Sequence, residues 1–378
     1  MDFTKLDTFL SQMELRGVPA CDLTVTVEGK TVYRGIYGYA DAAKTRPASD
    51  RDMYYLYSLS KVALCTGALR ALERGLIHLD DPVGDYLPAF RHLMVKRPDG
   101  SVTPAERVMT VRHLFSMAGG LDYDMRTPAI NRVRDHGPTD TVSAVASFTG
   151  KPLLFEPGTS YEYSLCHDVL AAVVEVASGT RFAEYQQREI FDPLGMTDTT
   201  YHPTGEQTAR ISELWRYNES TYTPYVEDKN SVHLFILGDD YDSGGAGIVS
   251  SAGSYLRLIA ALSNGGTSVD GYQVLRPETI RLLAENQLCA AGLAKFAAGR
   301  FGGYGFGLCC RTHLRPEISL SPSSVGEFGW DSAANAYALV DPTRKIGIQY
   351  VTHVLGCVTG YYLYHPAIRG LVYEALEA

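Results

Sequence analysis

Strand-like segments lie at both ends of this 378-residue chain, and mostly helical segments lie between them. Near the N-terminus, CDLTVTVEGKTVYRGIYGYAD contains two β-rich runs joined at Glu28-Gly29-Lys30, which predicts a hairpin with glycine at its turn. In the last third, YGFGLCC, EFGWDSAANAYALVDP and KIGIQYVTHV also have the composition of strands. The sequence therefore predicts an α/β fold of the α+β type, in which both ends of the chain build one antiparallel sheet flanked by helices.

The segments VMTVRHLFSM, TDTVSAVASFTG and HDVLAAVVEVASG have helical patterns and predict a mostly helical lobe inserted into this sheet. The length of the chain leaves open whether it forms one large fold or two separate domains. Because the strands come from both ends, we expect a single domain over 1–378. Its sheet subdomain is expected to comprise 1–58 and 236–378, and its helical lobe 59–235.

Charge and hydropathy exclude several classes of partner. The net charge of −9 is spread along the chain, and no Lys/Arg cluster offers a surface for nucleic acid. No run of about 18 apolar residues is present, so no membrane span is expected. The N-terminal segment MDFTKLDTFLSQMELRG carries charges every few residues and lacks a signal-peptide core, which predicts a cytoplasmic protein. The oligomeric state stays open.

The seven cysteines form no C-x-x-C pair and no Cys/His spacing suited to zinc. We therefore expect no metal, and we expect most cysteines to be small buried residues in a reducing compartment. Cys166, which lies beside His167, is an alternative nucleophile. His113 and His167 are themselves expected to be structural residues.

The segment YSLSK, residues 57–61, places Ser58 and Lys61 three residues apart where a strand-like run gives way to a helical run. Side chains at this spacing share a helix face, so the Lys61 amine can reach the Ser58 hydroxyl. Partial burial can leave a lysine neutral, and a neutral amine can accept the serine proton. The free N–H groups of the helix terminus would face an oxyanion. The alternative is that Ser58 or Ser60 caps the helix and Lys61 is solvated.

A serine–lysine pair also needs a group that passes a proton to the leaving group. Tyr163 in FEPGTSYEYSL is the candidate, because Pro, Gly and Ser place it on a loop before a helix. A buried structural tyrosine is the alternative. The sequence contains no Gly-x-Ser-x-Gly, His-Glu-x-x-His or P-loop motif, which excludes the usual α/β-hydrolase, zincin and P-loop classes.

Taken together, the order and spacing of these segments resemble the serine β-lactamase-like superfamily along nearly the whole chain. The resemblance is greatest to the branch of class C β-lactamases, D-alanyl-D-alanine carboxypeptidases and related esterases. It rests on VTVEGKTVYRGIYGYAD, YSLSKV, GLIHLDDPVGDYLP, MTVRHLFSMAGGLDYD, FEPGTSYEYS, SGGAGIVSSAGSYLRLIAALSNGG, YGFGL and FGWDSAANAYALVDP. The resemblance implies a β-lactamase/transpeptidase-like fold, with Ser58 as acylated nucleophile, Lys61 as its base and Tyr163 as proton shuttle.

Two positions depart from the β-lactamase pattern. Leu165 stands where the Tyr-x-Asn motif has asparagine, and a similar Tyr-Ser-Leu is found among the family's esterases. Trp330-Asp331-Ser332 stands at the element that is Lys-Thr-Gly, His-Thr-Gly or, in esterases, Trp-Gly-Gly. Trp330 offers only an indole N–H, so the cation that anchors a substrate carboxylate is missing. The backbone N–H groups of Ala333 and Ser58 can still form an oxyanion hole.

We therefore expect a serine hydrolase of esterase type that acts on an uncharged ester or amide without metal or organic cofactor. Gly244, Gly245 and Gly247 are expected to form a pocket wall, with a simple turn as the alternative. An acyltransferase to an alcohol or amine is the nearest rival function. A β-lactamase or D-Ala-D-Ala peptidase is a weaker one, and a non-catalytic binding or sensing module is a rival of another class.

Overall fold

The computed structural model describes residues 1–136, 140–228 and 235–378. The helices are α1 (Thr4–Ser11), α2 (Ser60–Glu73), α3 (Val83–Tyr86), α4 (Val111–Phe115), α5 (Pro128–Asp135), α6 (Thr141–Ala146), α7 (Cys166–Ser178), α8 (Phe182–Gln186), α9 (Gly205–Ala209), α10 (Ala252–Ser263), α11 (Pro277–Ala284), α12 (Ala290–Phe296), α13 (Pro316–Ser319) and α14 (His365–Glu377).

The strands are β1 (Ala20–Val27), β2 (Lys30–Gly38), β3 (Met53–Tyr55), β4 (Met94–Lys96), β5 (Val102–Pro104), β6 (Thr199–Thr200), β7 (Trp215–Asn218), β8 (Thr223–Val226), β9 (Val249–Ser251), β10 (Tyr304–Phe306), β11 (Arg311–His313), β12 (Phe328–Gly329), β13 (Tyr337–Asp341), β14 (Ile346–Val351) and β15 (Val354–Leu355). The lobe predicted over 59–235 includes 137–139 and 229–234, which lie outside the described residues.

Both ends of the chain contribute to a seven-stranded antiparallel sheet in the order β10-β11-β12-β13-β14-β1-β2. The N-terminal strand β1 pairs with the C-terminal strand β14, which confirms the predicted assembly from distant segments. The predicted hairpin joins β1 to β2 through Glu28 and Gly29. Both residues have positive φ, 50° and 75°, as the right-handed twist of a two-residue hairpin requires.

Side chains along the central strands point alternately to the two faces of the sheet. Leu23 and Val25 of β1 and Ile348 of β14 join the cluster formed with helices α1 and α14. On the opposite face, α10 packs against β13 and β14. Gly347 permits this close approach, because a Cβ there would lie 3.2 Å from Ile259 of α10.

Helix α2 runs through the main core of the protein, and its residues Ser60–Leu69 are all buried. It packs against α7 and α8, while β3 leads into it from the small sheet β3-β9-β6. Because this part of α2 is buried on every side, the surrounding protein holds the start of the helix in a fixed position.

Six of the seven cysteines are buried and only Cys289 is exposed, which confirms the prediction made from their spacing. None of the helices in the three described ranges combines the length and apolar character needed to cross a bilayer.

Candidate active site

Ser58 lies in a short helical turn, Tyr57–Leu59, between strand β3 and helix α2. Tyr57 has a φ of 45°, a value in the left-handed region that bulky residues rarely adopt. The neighbouring Ser60 is buried, and its Oγ accepts the N–H of Ile248 at 3.0 Å. Pairing of β3 with β9 and this hydrogen bond therefore hold the turn, while the Ser58 side chain faces a cavity.

Lys61 is buried, with 1% of its surface exposed, so the alternative that it lies on a solvated helix face is wrong. Its Nζ donates to the carbonyl of Gly245 at 2.7 Å and lies 3.4 Å from the Oγ of Ser58. The rings of Tyr163 and Tyr123 face the same nitrogen, with centroids 4.8 and 5.4 Å from Nζ. The amine is thus held beside the serine by three different segments of the chain.

Tyr163 comes from the loop before α7 and donates its hydroxyl to the Oγ of Ser58 at 2.6 Å. Its ring stacks between those of Tyr123 and Trp330, at centroid distances of 5.3 and 5.6 Å and interplanar angles of 7° and 21°. Such stacking fixes the direction of the phenol group. Burial raises the pKa of Tyr123 well above its ordinary value, so this neighbouring phenol stays neutral.

The structure thus brings the three predicted residues Ser58, Lys61 and Tyr163 together at hydrogen-bonding distances. A serine hydroxyl between an amine and a phenol has one partner that can accept its proton and one that can donate a proton to a departing group. Chemically, this arrangement is suited to nucleophilic attack on a carbonyl.

Asp168 of α7 is a buried acid that the sequence analysis did not single out. Its Oδ1 accepts from Tyr241 and Ser243 at 2.8 Å and from the N–H of Gly245 at 3.3 Å. Its Oδ2 is buried without a hydrogen bond in the described part of the chain. A Cβ on Gly245 would lie 2.6 Å from this oxygen and 3.3 Å from Lys61 Nζ, so both atoms lie close to Gly245.

The glycine segment therefore lies behind Lys61. A Cβ on Gly244 would meet the carbonyl of His167 at 2.9 Å, and Gly247 donates to the carbonyl of Ser243 at 2.8 Å. Gly244 and Gly245 pack against α7, and neither lines the cavity at Ser58. The glycines therefore do not form the pocket wall that was expected from the sequence. Their close packing against α7 instead brings the Gly245 carbonyl into contact with Lys61.

The third predicted element, Trp330-Asp331-Ser332, forms the opposite wall of the cavity together with Ala333. The N–H of Ser332 donates to the carbonyl of Ala336 at 2.8 Å and is occupied by this tight turn. Ala333 and Ser58 both line the cavity, as an oxyanion hole formed by their backbone N–H groups requires. The carboxylate of Asp331 is bound by Arg300, at 2.5 and 3.1 Å.

The cavity has a volume of about 410 Å³, which is sufficient for a small acyl substrate. Its wall is largely aromatic, and Phe301 continues the stack of Trp330 at 5.7 Å. Two cations reach the wall, Arg300 and Lys295, and both are paired with carboxylates. Within the described residues, no group of three or more His, Cys, Asp or Glu is arranged to hold a metal ion.

The two histidines considered from the sequence have structural positions. His113 Nδ1 accepts the N–H of Thr110 at 3.1 Å in a helix cap, and burial lowers its pKa to about 4. His167 contacts the carbonyl of Phe115 at 3.1 Å, and burial, followed by the charge of Lys61, lowers its pKa to about 3. Burial raises the pKa of Cys166 to about 11, which opposes a role as thiolate nucleophile.

Two residues of the site were missed from the sequence, Asp168 and Arg300. A signal for Asp168 was present, because a charged residue interrupts the apolar helix CHDVLAAVVEVAS. Arg300 lies in the turn Gly299–Phe301, and nothing local distinguishes it from an exposed loop arginine. Leu165 is buried and does not line the cavity.

Known proteins resemble this chain in sequence and in fold. The sequence model of the family described as Beta-lactamase matches residues 7–358. Esterase EstB of Burkholderia gladioli is 28% identical over 367 residues, which cover 92% of this chain and 88% of EstB.

Two solved structures have the same fold. EstCE1, described as a hydrolase with promiscuous acyltransferase activity, aligns with a TM-score of 0.82 and 24% identity over 98% of both chains. Simvastatin synthase (LovD) from Aspergillus terreus, in its unliganded selenomethionyl form, aligns with a TM-score of 0.81 and 21% identity. This alignment covers 99% of the present chain and 98% of LovD.

Proposed function

The chain belongs to the Beta-lactamase family, and we propose that it is a serine hydrolase of esterase type that forms a covalent acyl-enzyme on Ser58. The observation that carries this proposal is the position of the Ser58 hydroxyl. It lies 3.4 Å from the amine of Lys61 and accepts a 2.6 Å hydrogen bond from Tyr163, at the wall of a cavity.

In the proposed first step, Lys61 in its neutral form accepts the proton of Ser58 while Oγ bonds to the substrate carbonyl carbon. The backbone N–H groups of Ser58 and Ala333 stabilise the negative charge on the carbonyl oxygen. As the bond to the leaving group breaks, Tyr163 donates a proton to the departing oxygen or nitrogen and regains one from Lys61. Water then attacks the acyl-enzyme by the reverse path and restores Ser58.

Substrates of this enzyme are proposed to be uncharged esters or amides. The wall opposite Ser58 carries the indole of Trp330 where a β-lactamase has a cation. The aromatic rings of Phe301 and Tyr361 extend this apolar surface. The relative EstB is named an esterase, in agreement with this substrate class.

The proposed sheet subdomain and helical lobe meet at this cavity. Ser58 lies at their junction, Tyr163 comes from the lobe and Trp330 from the sheet. Gly244 and Gly245 are proposed to support substrate binding indirectly, through the Gly245 carbonyl that holds Lys61. The predicted cytoplasmic location stays a prediction, which fractionation of the source cells tests.

A second candidate is acyl transfer to an alcohol or amine, which would replace water at the acyl-enzyme. EstCE1 is described as having acyltransferase activity, and LovD as a synthase. An acceptor titrated into the ester assay distinguishes the two reactions. A hydrolase keeps releasing free acid in the same proportion, whereas an acyltransferase diverts the acyl group into acceptor product.

The remaining alternatives have less support. A β-lactamase or D-Ala-D-Ala peptidase would need an anchor for a substrate carboxylate, and both cations at the cavity are already paired. A non-catalytic sensor would not need Ser58, Lys61 and Tyr163 to converge. Hydrolysis of a β-lactam by the wild-type protein at a rate comparable to that of an ester would favour the first alternative.

Hydrolysis of p-nitrophenyl butyrate by three proteins tests the proposal. We expect turnover by the wild type and none above background with Ser58→Ala. Ser60→Ala is the matched control, because Ser60 lies two residues away and its hydroxyl accepts the N–H of Ile248 instead of facing the cavity. It should lose about 1–3 kcal/mol of stability but retain turnover when folded. Equal activity of the wild type and Ser58→Ala would exclude the proposed nucleophile.

A further inference from the structure

A fixed ion pair lies in the wall of the cavity, opposite Ser58. The guanidinium of Arg300 holds the carboxylate of Asp331 through two hydrogen bonds, Nη1 to Oδ2 at 2.5 Å and Nη2 to Oδ1 at 3.1 Å. This bidentate geometry is the one that arginine uses to bind the carboxylate of a ligand. Here the protein itself supplies the carboxylate.

The surroundings hold both members of the pair in place. Arg300 lies between two aromatic rings, with its Cζ 4.3 Å from the centre of Phe301 and 4.7 Å from that of Tyr361. Tyr361 is fixed in turn, because its hydroxyl donates to the carbonyl of Ser332 at 2.8 Å. Asp331 is 7% exposed and its backbone bridges to Tyr337. Burial alone would raise the pKa of Asp331, but the charge and hydrogen bonds of Arg300, together with the charges of His365 and Arg311, keep this pKa below its ordinary value.

The other charges of the cavity leave no free cation among the residues that line it. Lys295 donates to Glu162 at 2.5 Å, and this pair lies nearer to solvent than Arg300 and Asp331. The wall of the cavity therefore carries two cations and two carboxylates, and their charges cancel. A substrate carboxylate that entered would have to displace Asp331 from Arg300 and leave the protein's own buried carboxylate unpaired.

We propose that Asp331 occupies the carboxylate-binding site of Arg300 and thereby restricts this cavity to acyl substrates without a negative charge. The substrate class in this inference rests on the proposed function. The inference adds that one residue, Asp331, makes the cavity selective for uncharged substrates. It implies that the cavity retains a latent anion site. Removing the charge of Asp331 should open this site, and removing Arg300 as well should abolish it.

Binding of two probes of the same shape tests the inference without turnover. The probes are 3-phenylpropionate and its neutral amide, titrated calorimetrically into Ser58→Ala. In this background the amide should bind at least as well as the carboxylate. The added change Asp331→Asn keeps the shape of the side chain and should raise the preference for the carboxylate by about 10- to 100-fold, as expected for a charge-assisted pair. Combining Arg300→Gln with Asp331→Asn should remove this gain.

The reciprocal variant provides a second test if Asp331→Asn does not fold. In Arg300→Gln the carboxylate of Asp331 loses its partner, so 3-phenylpropylamine should gain about tenfold or more in affinity relative to the amide. Circular dichroism and thermal unfolding establish that each protein is folded. An unchanged carboxylate-to-amide ratio in Asp331→Asn, or a gain that persists in the double variant, would overturn the inference. An unchanged ratio of amine affinity to amide affinity in Arg300→Gln would also overturn the inference.

Kinetics with intact Ser58 give a separate result. The ratio of kcat/KM for the anionic ester mono-p-nitrophenyl glutarate to that for p-nitrophenyl butyrate should rise about 10- to 100-fold on Asp331→Asn. If the wild type hydrolyses neither ester, the proposed function fails while the binding titrations still decide the role of Asp331. If both esters are hydrolysed with an unchanged ratio, the selectivity inference fails and the proposed function stands.

Discussion

Removing the hydroxyl of Tyr163 should reduce activity far more than it reduces stability. In Tyr163→Phe the ring keeps its stacking with Tyr123 and Trp330, at 5.3 and 5.6 Å, but the 2.6 Å hydrogen bond to Ser58 is lost. A hydrogen bond between neutral groups contributes about 0.5–1.5 kcal/mol to stability. We therefore expect a decrease in Tm of no more than a few degrees.

The catalytic effect should be larger, because the same hydroxyl is proposed to protonate the leaving group. General acid–base catalysis contributes a factor of about 10²–10⁴, which corresponds to about 3–5 kcal/mol in the activation barrier. Steady-state hydrolysis of ethyl butyrate, whose alkoxide leaving group needs a proton, should show this loss in kcat, with little change in KM. The loss should be smaller for p-nitrophenyl butyrate, because p-nitrophenolate is a stable anion that leaves without being protonated.

Tyr161→Phe is the matched control for this experiment. Tyr161 lies two residues away and lines the same cavity, but its hydroxyl forms no hydrogen bond in the described part of the chain. Its kcat should stay within about threefold of the wild type, since no acid–base contribution is removed. A Tyr163→Phe enzyme with wild-type kcat, or equal losses in the two variants, would refute the role of Tyr163.

Three further predictions concern the support of the site. Lys61→Met should lower kcat by about 10²–10⁴-fold, because Ser58 loses its base; wild-type ester hydrolysis would contradict this. Asp168→Ala should cost about 1–3 kcal/mol or more in urea unfolding, because the hydroxyls of Tyr241 and Ser243 lose their buried acceptor, whereas an unchanged stability would contradict this role. Since burial lowers the pKa of His167 to about 3, below the ordinary 6.5, the unfolded chain binds more protons below pH 6.5. The contribution of His167 to stability is then complete above pH 6.5 and falls by about 1.4 kcal/mol per pH unit towards pH 3; a slope unchanged by His167→Gln would contradict this origin.

Much of the fold follows from local patterns that the structure preserves. The hairpin at Glu28-Gly29 and the helix after Ser58 each depend on a few neighbouring residues. The strand Arg311–His313 was not predicted, because three residues with a charged end have no visible alternation. This strand is defined by its pairing with two neighbouring strands. Arg311 is also paired with Glu327, which comes from another part of the chain.

The predicted site likewise combines local features, which the sequence shows, with contacts between distant residues, which it does not. The spacing of Ser58 and Lys61 is local, so the sequence could place both on one turn. The contact of Tyr163 with Ser58 spans 105 residues, and it was expected from the loop position of Tyr163 and from the family resemblance rather than from local spacing. The Arg300–Asp331 pair could not be predicted, because it depends on a turn between α12 and β10 facing the end of another strand.

Mass spectrometry of the covalent adduct measures the central claim directly. After reaction with a fluorophosphonate, trypsin releases the peptide DMYYLYSLSK, residues 52–61, which contains both Ser58 and Ser60. Fragment ions should place one phosphonyl group on Ser58, none on Ser60, and none anywhere in Ser58→Ala. An adduct on another residue, or an unmodified protein that nevertheless hydrolyses esters, would contradict acylation of Ser58.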